Sequence, residues 1–342
     1  MRALVFAGPS QLEWREVNEP RIVDDRDVIV RPLAVARCDL DPAIAAGLYP
    51  MPAPFVMGHE MVGEIVDVGP AAGPWDSGDR VIVPFQISCG NCAMCRRGFT
   101  NACESVPAGS AFGLGAHGNV DFGGALADFV RVPFADHLLL PLPAGITPDM
   151  AAGVPDNVSD GFRCVAGPLH DHPGAAVLVV GGLAQSVGMY AVAAAITLGS
   201  GDVHYVDHDP ARLAAATALG ATIEDCPLDE LRATRSYPIT VDASALDQGR
   251  NHAIRSTMPC GRCTSVSGGI TPTATLPLQS MYLKGITYDI GRVHARATAP
   301  DAIELVRRGE LDPLAIPHRT IPLDEAADAM LEPDIKIVFT TR

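Results

Sequence analysis

No apolar run in the 342 residues reaches the roughly 20 consecutive positions that a membrane-spanning helix requires, so no spanning segment is expected. Basic residues are also scarce: 25 Lys and Arg stand against 40 Asp and Glu, a net charge of -15. A surface of that sign repels nucleic acid and anionic membranes, and neither is expected as a partner. The segment from Met1 to Phe6 lacks the apolar core and cleavage site of a signal peptide, which makes the cytoplasm the expected location. Paired cysteines are missing as well. The count is nine, an odd number, and four of them crowd between Cys89 and Cys103, a spacing suited to metal binding rather than to disulfides.

What is present is the composition of a folded protein, 48% hydrophobic and 19% charged. The length predicts two domains. Short alternating segments, at Arg2 to Phe6, Val28 to Val35, Val62 to Val68, Arg80 to Pro84 and Ala127 to Val132, read as strands punctuated by Gly and Pro. They predict an irregular, mostly β domain over residues 1–150.

Three stretches in or next to that domain hold side chains suited to one metal. His59 follows Gly58 and precedes Glu60 and a strand-like run, Cys38 lies upstream in Arg37-Cys38-Asp39-Leu40-Asp41, and Asp156 lies downstream in Val154-Pro155-Asp156-Asn157. Cys, His and Asp together can hold zinc and leave its fourth position open, as catalytic zinc requires. A lone His in an apolar stretch is otherwise an ordinary core residue. The second array, Cys89-x2-Cys92-x2-Cys95-x7-Cys103, has the four thiols of a closed structural zinc site in a lobe spanning about residues 86–104. An iron–sulfur site or four unrelated thiols are the alternatives.

From about residue 150 the pattern changes. A helical stretch from Pro155 to Ala166 leads into the apolar run Ala175 to Val180, then a glycine-rich turn, Gly181-Gly182-Leu183-Ala184-Gln185-Ser186-Val187-Gly188, and an Ala-rich helix. A second strand, Val203 to Val206, ends at Asp207, and Pro210 to Leu219 reads as the next helix. Such a turn lets the backbone approach a pyrophosphate at a helix N-terminus, while the acid accepts from the ribose hydroxyls. Leu183 and Gln185 occupy positions where a standard GxGxxG would have glycine, so the order of strand, turn, helix and acid carries the assignment. Asp207 could instead be a plain strand-end turn residue. Later strands at Ile239 to Asp242, Arg262 to Val266 and Ile286 to Ile290 complete a doubly wound parallel sheet over residues 151–290, and the chain is expected to return to the first domain over 291–342. Cys260 and Cys263 form a CxxC without a second pair and read as strand-flanking residues.

With these motifs in hand, the chain resembles the zinc-dependent medium-chain alcohol dehydrogenases over essentially its whole length. The resemblance is carried by Cys38 with Asp41, Gly58-His59-Glu60, Gly78-Asp79-Arg80-Val81, the four-cysteine lobe, Gly123-Gly124-Ala125-Leu126-Ala127, the glycine-rich turn and Val206-Asp207. The stretch around Asp156 is similar to the branch whose third catalytic ligand is Asp, represented by bacterial secondary-alcohol dehydrogenases. The resemblance implies an α/β fold with a GroES-like irregular β domain and a Rossmann domain. It implies Cys38, His59 and Asp156 as ligands of a catalytic zinc, Glu60 behind them as a supporting or exchanging ligand, and Cys89, Cys92, Cys95 and Cys103 around a structural zinc, two zinc ions per chain. NAD would lie on Gly181, Gly182, Ser186, Val187, Gly188, Asp207 and Arg212. A homodimer or homotetramer acting on a small alcohol or carbonyl substrate is expected.

Two positions depart from the family. Leu40 replaces the hydroxyl residue that relays the substrate proton, and Asp160 stands where a hydroxyl near the nicotinamide is often found, with Ser159 adjacent. Asp160 is therefore the candidate proton acceptor, with Asp39, Tyr49, Ser159 and direct exchange with water as alternatives. Asp207 predicts NAD over NADP by roughly a hundredfold or more, softened by His208 and Arg212. Two other functions stay open: an inactive nucleotide-binding sensor or scaffold, favoured by Leu40 and the irregular turn, and an aldehyde dismutase that retains NAD.

Overall fold

The computed structural model describes residues 1–269 and 273–341, which divide into two compact units. The first comprises Met1–Ser159, His294–Asp312 and His318–Arg342, and the second Asp160–Val293 and Pro313–Pro317. No helix among the described residues is long and apolar enough to cross a membrane.

The first unit is built on short strands. Its larger sheet runs in the order His318–Pro322, Lys336–Thr340, Val28–Ala36, Glu60–Val68, Arg80–Val83, Leu140–Pro141, and Val130–Val132 also pairs with Val28–Ala36. A three-stranded sheet of Gln11–Glu16, Arg2–Gly8 and Phe55–Val56 accompanies it. The strand Val28–Ala36 is paired on both sides yet contains Pro32, which removes a ladder donor. A register shift between Pro32 and Ala34 absorbs that loss as a bulge. Opposite Pro32 stands Gly63, where an added Cβ would meet Val30 Cγ1 at 2.3 Å and the Arg31 carbonyl oxygen at 2.7 Å, so only glycine lets the two strands close there. This bulged antiparallel pairing brings Ala36 opposite Glu60. Cys38 lies two residues beyond one end of the pair and His59 one residue before the other, so the register itself delivers both to one place. The final strand adds Lys336 to the same end, since Val338 pairs with Ala36.

The second unit is a six-stranded parallel sheet in the order Thr222–Asp225, Val203–Asp207, Val177–Val180, Tyr237–Asp242, Thr257–Ser265, Thr287–Ile290. In chain order this is 3-2-1-4-5-6, and the direction of winding reverses beside Val177–Val180, where the glycine-rich turn begins. All four residues of that strand are buried, as expected for a strand covered on both faces. Helices Gln185–Thr197, Pro210–Leu219 and Asp247–Ser256 follow successive strands. Cys260 and Cys263 lie inside the strand Thr257–Ser265 rather than flanking it, Cys260 exposed and Cys263 buried.

Candidate metal and nucleotide sites

In the first unit, ligand atoms of Cys38, His59, Glu60 and Asp156 all lie within 4.8 Å of one another. Asp156 Oδ2 is 3.4 Å from both Cys38 Sγ and His59 Nε2. All four residues are buried, and burial together with Asp156 and Glu60 pushes the Cys38 thiol well above its ordinary range. Asp41 supports the cluster: its Oδ2 accepts from the Cys38 backbone N–H at 2.9 Å, and its Oδ1 stands 3.6 Å from His59 Nδ1. Those last two atoms are buried and make no hydrogen bond. Burial acts to lower the His59 imidazole, but Asp41 and Asp156 outweigh it and hold it at about 9. Three acids and a thiol packed around one imidazole and one lysine lack positive charge, and a divalent cation among Cys38, His59 and Asp156 fits that deficit. With Nε2 on the metal, Nδ1 faces Asp41, the arrangement that orients metal-ligating histidines.

Two residues that the motif reading did not single out complete the cluster. Lys336 Nζ donates to both Glu60 carboxylate oxygens at 3.0 Å and to Asn157 Oδ1 at 2.7 Å, while Asn157 Nδ2 reaches Asp156 Oδ2 at 3.2 Å and Cys38 Sγ at 3.5 Å. The signal for Lys336 was a lysine in the apolar run Ile335-Lys336-Ile337-Val338-Phe339, since a charge on a buried strand needs a partner. Burial raises the Glu60 carboxyl to about 8, against the pull of Lys336. Lys336→Met removes one member of a fully buried pair and is expected to destabilise the protein by about 3–5 kcal/mol in urea unfolding. A loss below about 1 kcal/mol, the scale of an exposed pair, would show that the pair is not an essential buried one.

Cys89, Cys92, Cys95 and Cys103 form the second cluster. The N–H groups of Asn91 and Cys92 point at Cys89 Sγ, those of Cys95 and Glu104 at Cys92 Sγ, each at 3.4 Å, and the Ser105 hydroxyl donates to Cys89 Sγ at 3.1 Å. Five donors aimed at two sulfurs favour thiolates: despite burial, which raises it, the Cys89 thiol is brought down to about 6. These turns suit zinc held by four sulfurs. Arg97 lies over the Phe99 ring at 4.8 Å.

In the second unit, Gly181 and Gly182 are required by close approach. A Cβ on Gly181 would come within 2.1 Å of Tyr205 Oη and 2.2 Å of Asp207 Oδ2, and one on Gly182 within 2.7 Å of Ser244 Cα. Ser186, Val187 and Gly188 lie in the first turn of the helix Gln185–Thr197, all buried. Asp207 ends its strand, with Arg212 in the following helix. Its carboxylate is nearly buried, and although burial opposes it, hydrogen bonds from Arg212 and Tyr205 hold it below the usual carboxylate range.

Asp160 lies outside both clusters. Its Oδ1 accepts from Arg163 Nε at 2.6 Å, and the neighbouring Ser159 hydroxyl donates to the Val154 carbonyl at 2.6 Å. Tyr49 is exposed.

A closed four-sulfur lobe, an open Cys–His–Asp set and a doubly wound sheet with a glycine-rich turn define the class of zinc-dependent, dinucleotide-using oxidoreductases. Residues 24–144 match the family described as the alcohol dehydrogenase GroES-like domain. The chain is 33% identical, over 96% of its length and 84% of the relative's, to a protein of Mycobacterium tuberculosis named as a probable zinc-binding alcohol dehydrogenase. It is 31% identical to the glutathione-independent formaldehyde dehydrogenase of Pseudomonas aeruginosa, over 86% of this chain and 78% of that one. Among solved structures, the alcohol dehydrogenase from Thermus sp. ATN1 superposes with a TM-score of 0.88 at 30% identity, covering all of both chains. The chain belongs to the zinc-dependent medium-chain alcohol dehydrogenase family.

Proposed function

We propose that this protein interconverts an alcohol and its aldehyde or ketone, with NAD(H) as the hydride partner. The observation that carries the proposal is the buried meeting of Cys38, His59 and Asp156, backed by Asp41, in a member of this family. Zinc held at that site would supply Lewis-acid polarisation of the substrate oxygen, and a bound nicotinamide would supply the hydride acceptor. The chain's own part is to hold and orient. Asp41 attracts the Nδ1 side of the His59 ring from 3.6 Å, and Asn157 and Lys336 tie Asp156 and Glu60 in place. The turn at Gly181 and Gly182 admits the pyrophosphate, and Asp207 faces the adenosine ribose. Glu60, held by Lys336, stands beside the three ligands and would support them or exchange with one of them on a bound zinc. We further propose a cytoplasmic homo-oligomer, dimer or tetramer, for which Leu278, Tyr282 and Leu283, exposed on a helix with no buried residue, offer apolar surface.

Turnover of a panel of primary and secondary alcohols with NAD, followed as NADH formation, tests the function. No turnover favours the sensor or scaffold, and aldehyde consumption with NAD co-purifying favours dismutation. The proton path is tested in the same assay. Leu40 can neither donate nor accept through its side chain, and Asp160 is the side chain we propose as acceptor although it is paired with Arg163. Asp160→Asn is expected to slow single-turnover hydride transfer by about a hundred- to ten-thousandfold with NAD binding retained. If Asp160→Asn and Tyr49→Phe both keep the parent rate and pH profile, direct exchange with water carries the proton.

A further inference from the structure

Asp207 is not available in the way a ribose-binding acid is expected to be. A carboxylate has about four acceptor positions, and this one already meets five donors. Tyr205 Oη donates to Oδ2 at 2.6 Å, the backbone N–H groups of His208 and Asp209 donate to Oδ1 at 2.7 and 3.1 Å, and Arg212 donates through Nε to Oδ2 at 2.7 Å and through Nη2 to Oδ1 at 2.8 Å. Arg212 is held in that pose from a second direction, because its backbone N–H donates to Asp209 Oδ1 at 2.9 Å at the start of the helix. The two backbone donors belong to the turn and cannot leave. Tyr205 is wholly buried between Asp207 and Gly181, so its hydroxyl has no solvent to turn toward.

Two consequences follow for a nucleotide on the Gly181 turn. A ribose hydroxyl must displace or share with Arg212 to reach Asp207. The charge that should repel a 2′-phosphate is neutralised by a bidentate guanidinium, which spends two of its five N–H groups on Asp207 and keeps Nη1 at 3.7 Å from Asp209 Oδ2, outside hydrogen-bond reach. Of the remaining acids nearby, Asp209 is half-exposed and accepts from the Arg212 backbone N–H, and Asp225 is exposed, screened and engaged by His208 Nδ1 at 2.7 Å.

We infer that the Tyr205–Asp207–Arg212 cluster, rather than Asp207 alone, sets cofactor choice, and that it admits NADP(H) with an affinity within about tenfold of that for NAD(H). Arg212 is the specificity residue: with Nε and Nη2 kept on Asp207, its Nη1 is left to meet a 2′-phosphate. Tyr205 is a positioning residue that occupies an acceptor site on Asp207 and so keeps the carboxylate committed to Arg212. The inference rests on the dehydrogenase reading and narrows the hundredfold discrimination that a bare carboxylate would impose.

The test is equilibrium titration of the full-length protein with NADH and NADPH, read by nicotinamide fluorescence, which needs no turnover. The parent should bind both within about tenfold. Arg212→Gln should weaken NADPH by about thirtyfold or more and NADH by a clearly smaller factor, so that the NADH-to-NADPH preference rises by about tenfold or more. Tyr205→Phe frees an acceptor position on Asp207 and should shift the ratio severalfold toward NADH, a change that a purely structural tyrosine would not produce. NADH binding with NADPH excluded by more than about a hundredfold in the parent overturns the inference alone. Equal effects of Arg212→Gln on the two nucleotides overturn it as well. If melting shows Arg212→Gln to be unfolded, Tyr205→Phe decides, and an unchanged ratio overturns it. Failure of the parent to bind either nucleotide overturns the dehydrogenase reading and the inference together.

Discussion

Cys92→Ser is expected to lower unfolding stability by about 4 kcal/mol or more and to reduce bound zinc from two ions per chain to one. The lobe has little else to hold it. Its helix Ala93–Arg96 and the 3-10 turn Thr100–Ala102 are single turns, too short to persist alone, and Cys89, Cys95 and Cys103 supply the buried side chains of its small core. A serine at position 92 can still accept from the Cys95 N–H as the helix cap, so what the variant loses is the thiolate ligand itself. Metal analysis and chemical unfolding measure the two effects separately. An unchanged unfolding midpoint in a variant carrying one zinc would show that the lobe folds without its metal, and two zinc ions in the variant would remove the assignment of the four cysteines.

His59→Ala should leave the fold standing and abolish turnover. The ring is buried and lies against Phe85 at a centroid distance of 5.4 Å, so its loss opens a cavity and costs some stability, yet no backbone element depends on it. The catalytic effect is larger. Losing a ligand of the open site forfeits several kcal/mol of stabilisation at the substrate oxygen, or about three or more powers of ten in kcat/KM. NADH affinity measured by fluorescence is the internal control, because the proposed nucleotide residues all lie in the second unit, and it should change little. Turnover retained within about tenfold would place the reacting oxygen elsewhere.

How far these sites could be read beforehand depended on distance along the chain. The four cysteines are neighbours in sequence, so spacing alone predicted a compact array, and tight turns brought them together. The order of strand, glycine turn, helix and Asp207 in the second unit was legible for the same reason: each step is local and each pattern has its own period. The strand that carries Pro32 was also readable, but not its bulge, which depends on the pairing with Gly63.

By itself, then, the sequence determined the architecture, the closed four-sulfur lobe and the residue types of an open metal site, because period, turn chemistry and ligand spacing are properties of short stretches. Only the tertiary structure decided what surrounds those residues. The register Ala36–Glu60 joins Cys38 to His59, a lysine 276 residues after Glu60 supplies its counter-charge, and Asn157 links Lys336 to Asp156 and Cys38. Asp207 could be placed at a strand end from its position, but whether its carboxylate is open or saturated depends on where Tyr205 and Arg212 point, and hydrogen bonds among buried side chains are settled by packing rather than by order along the chain.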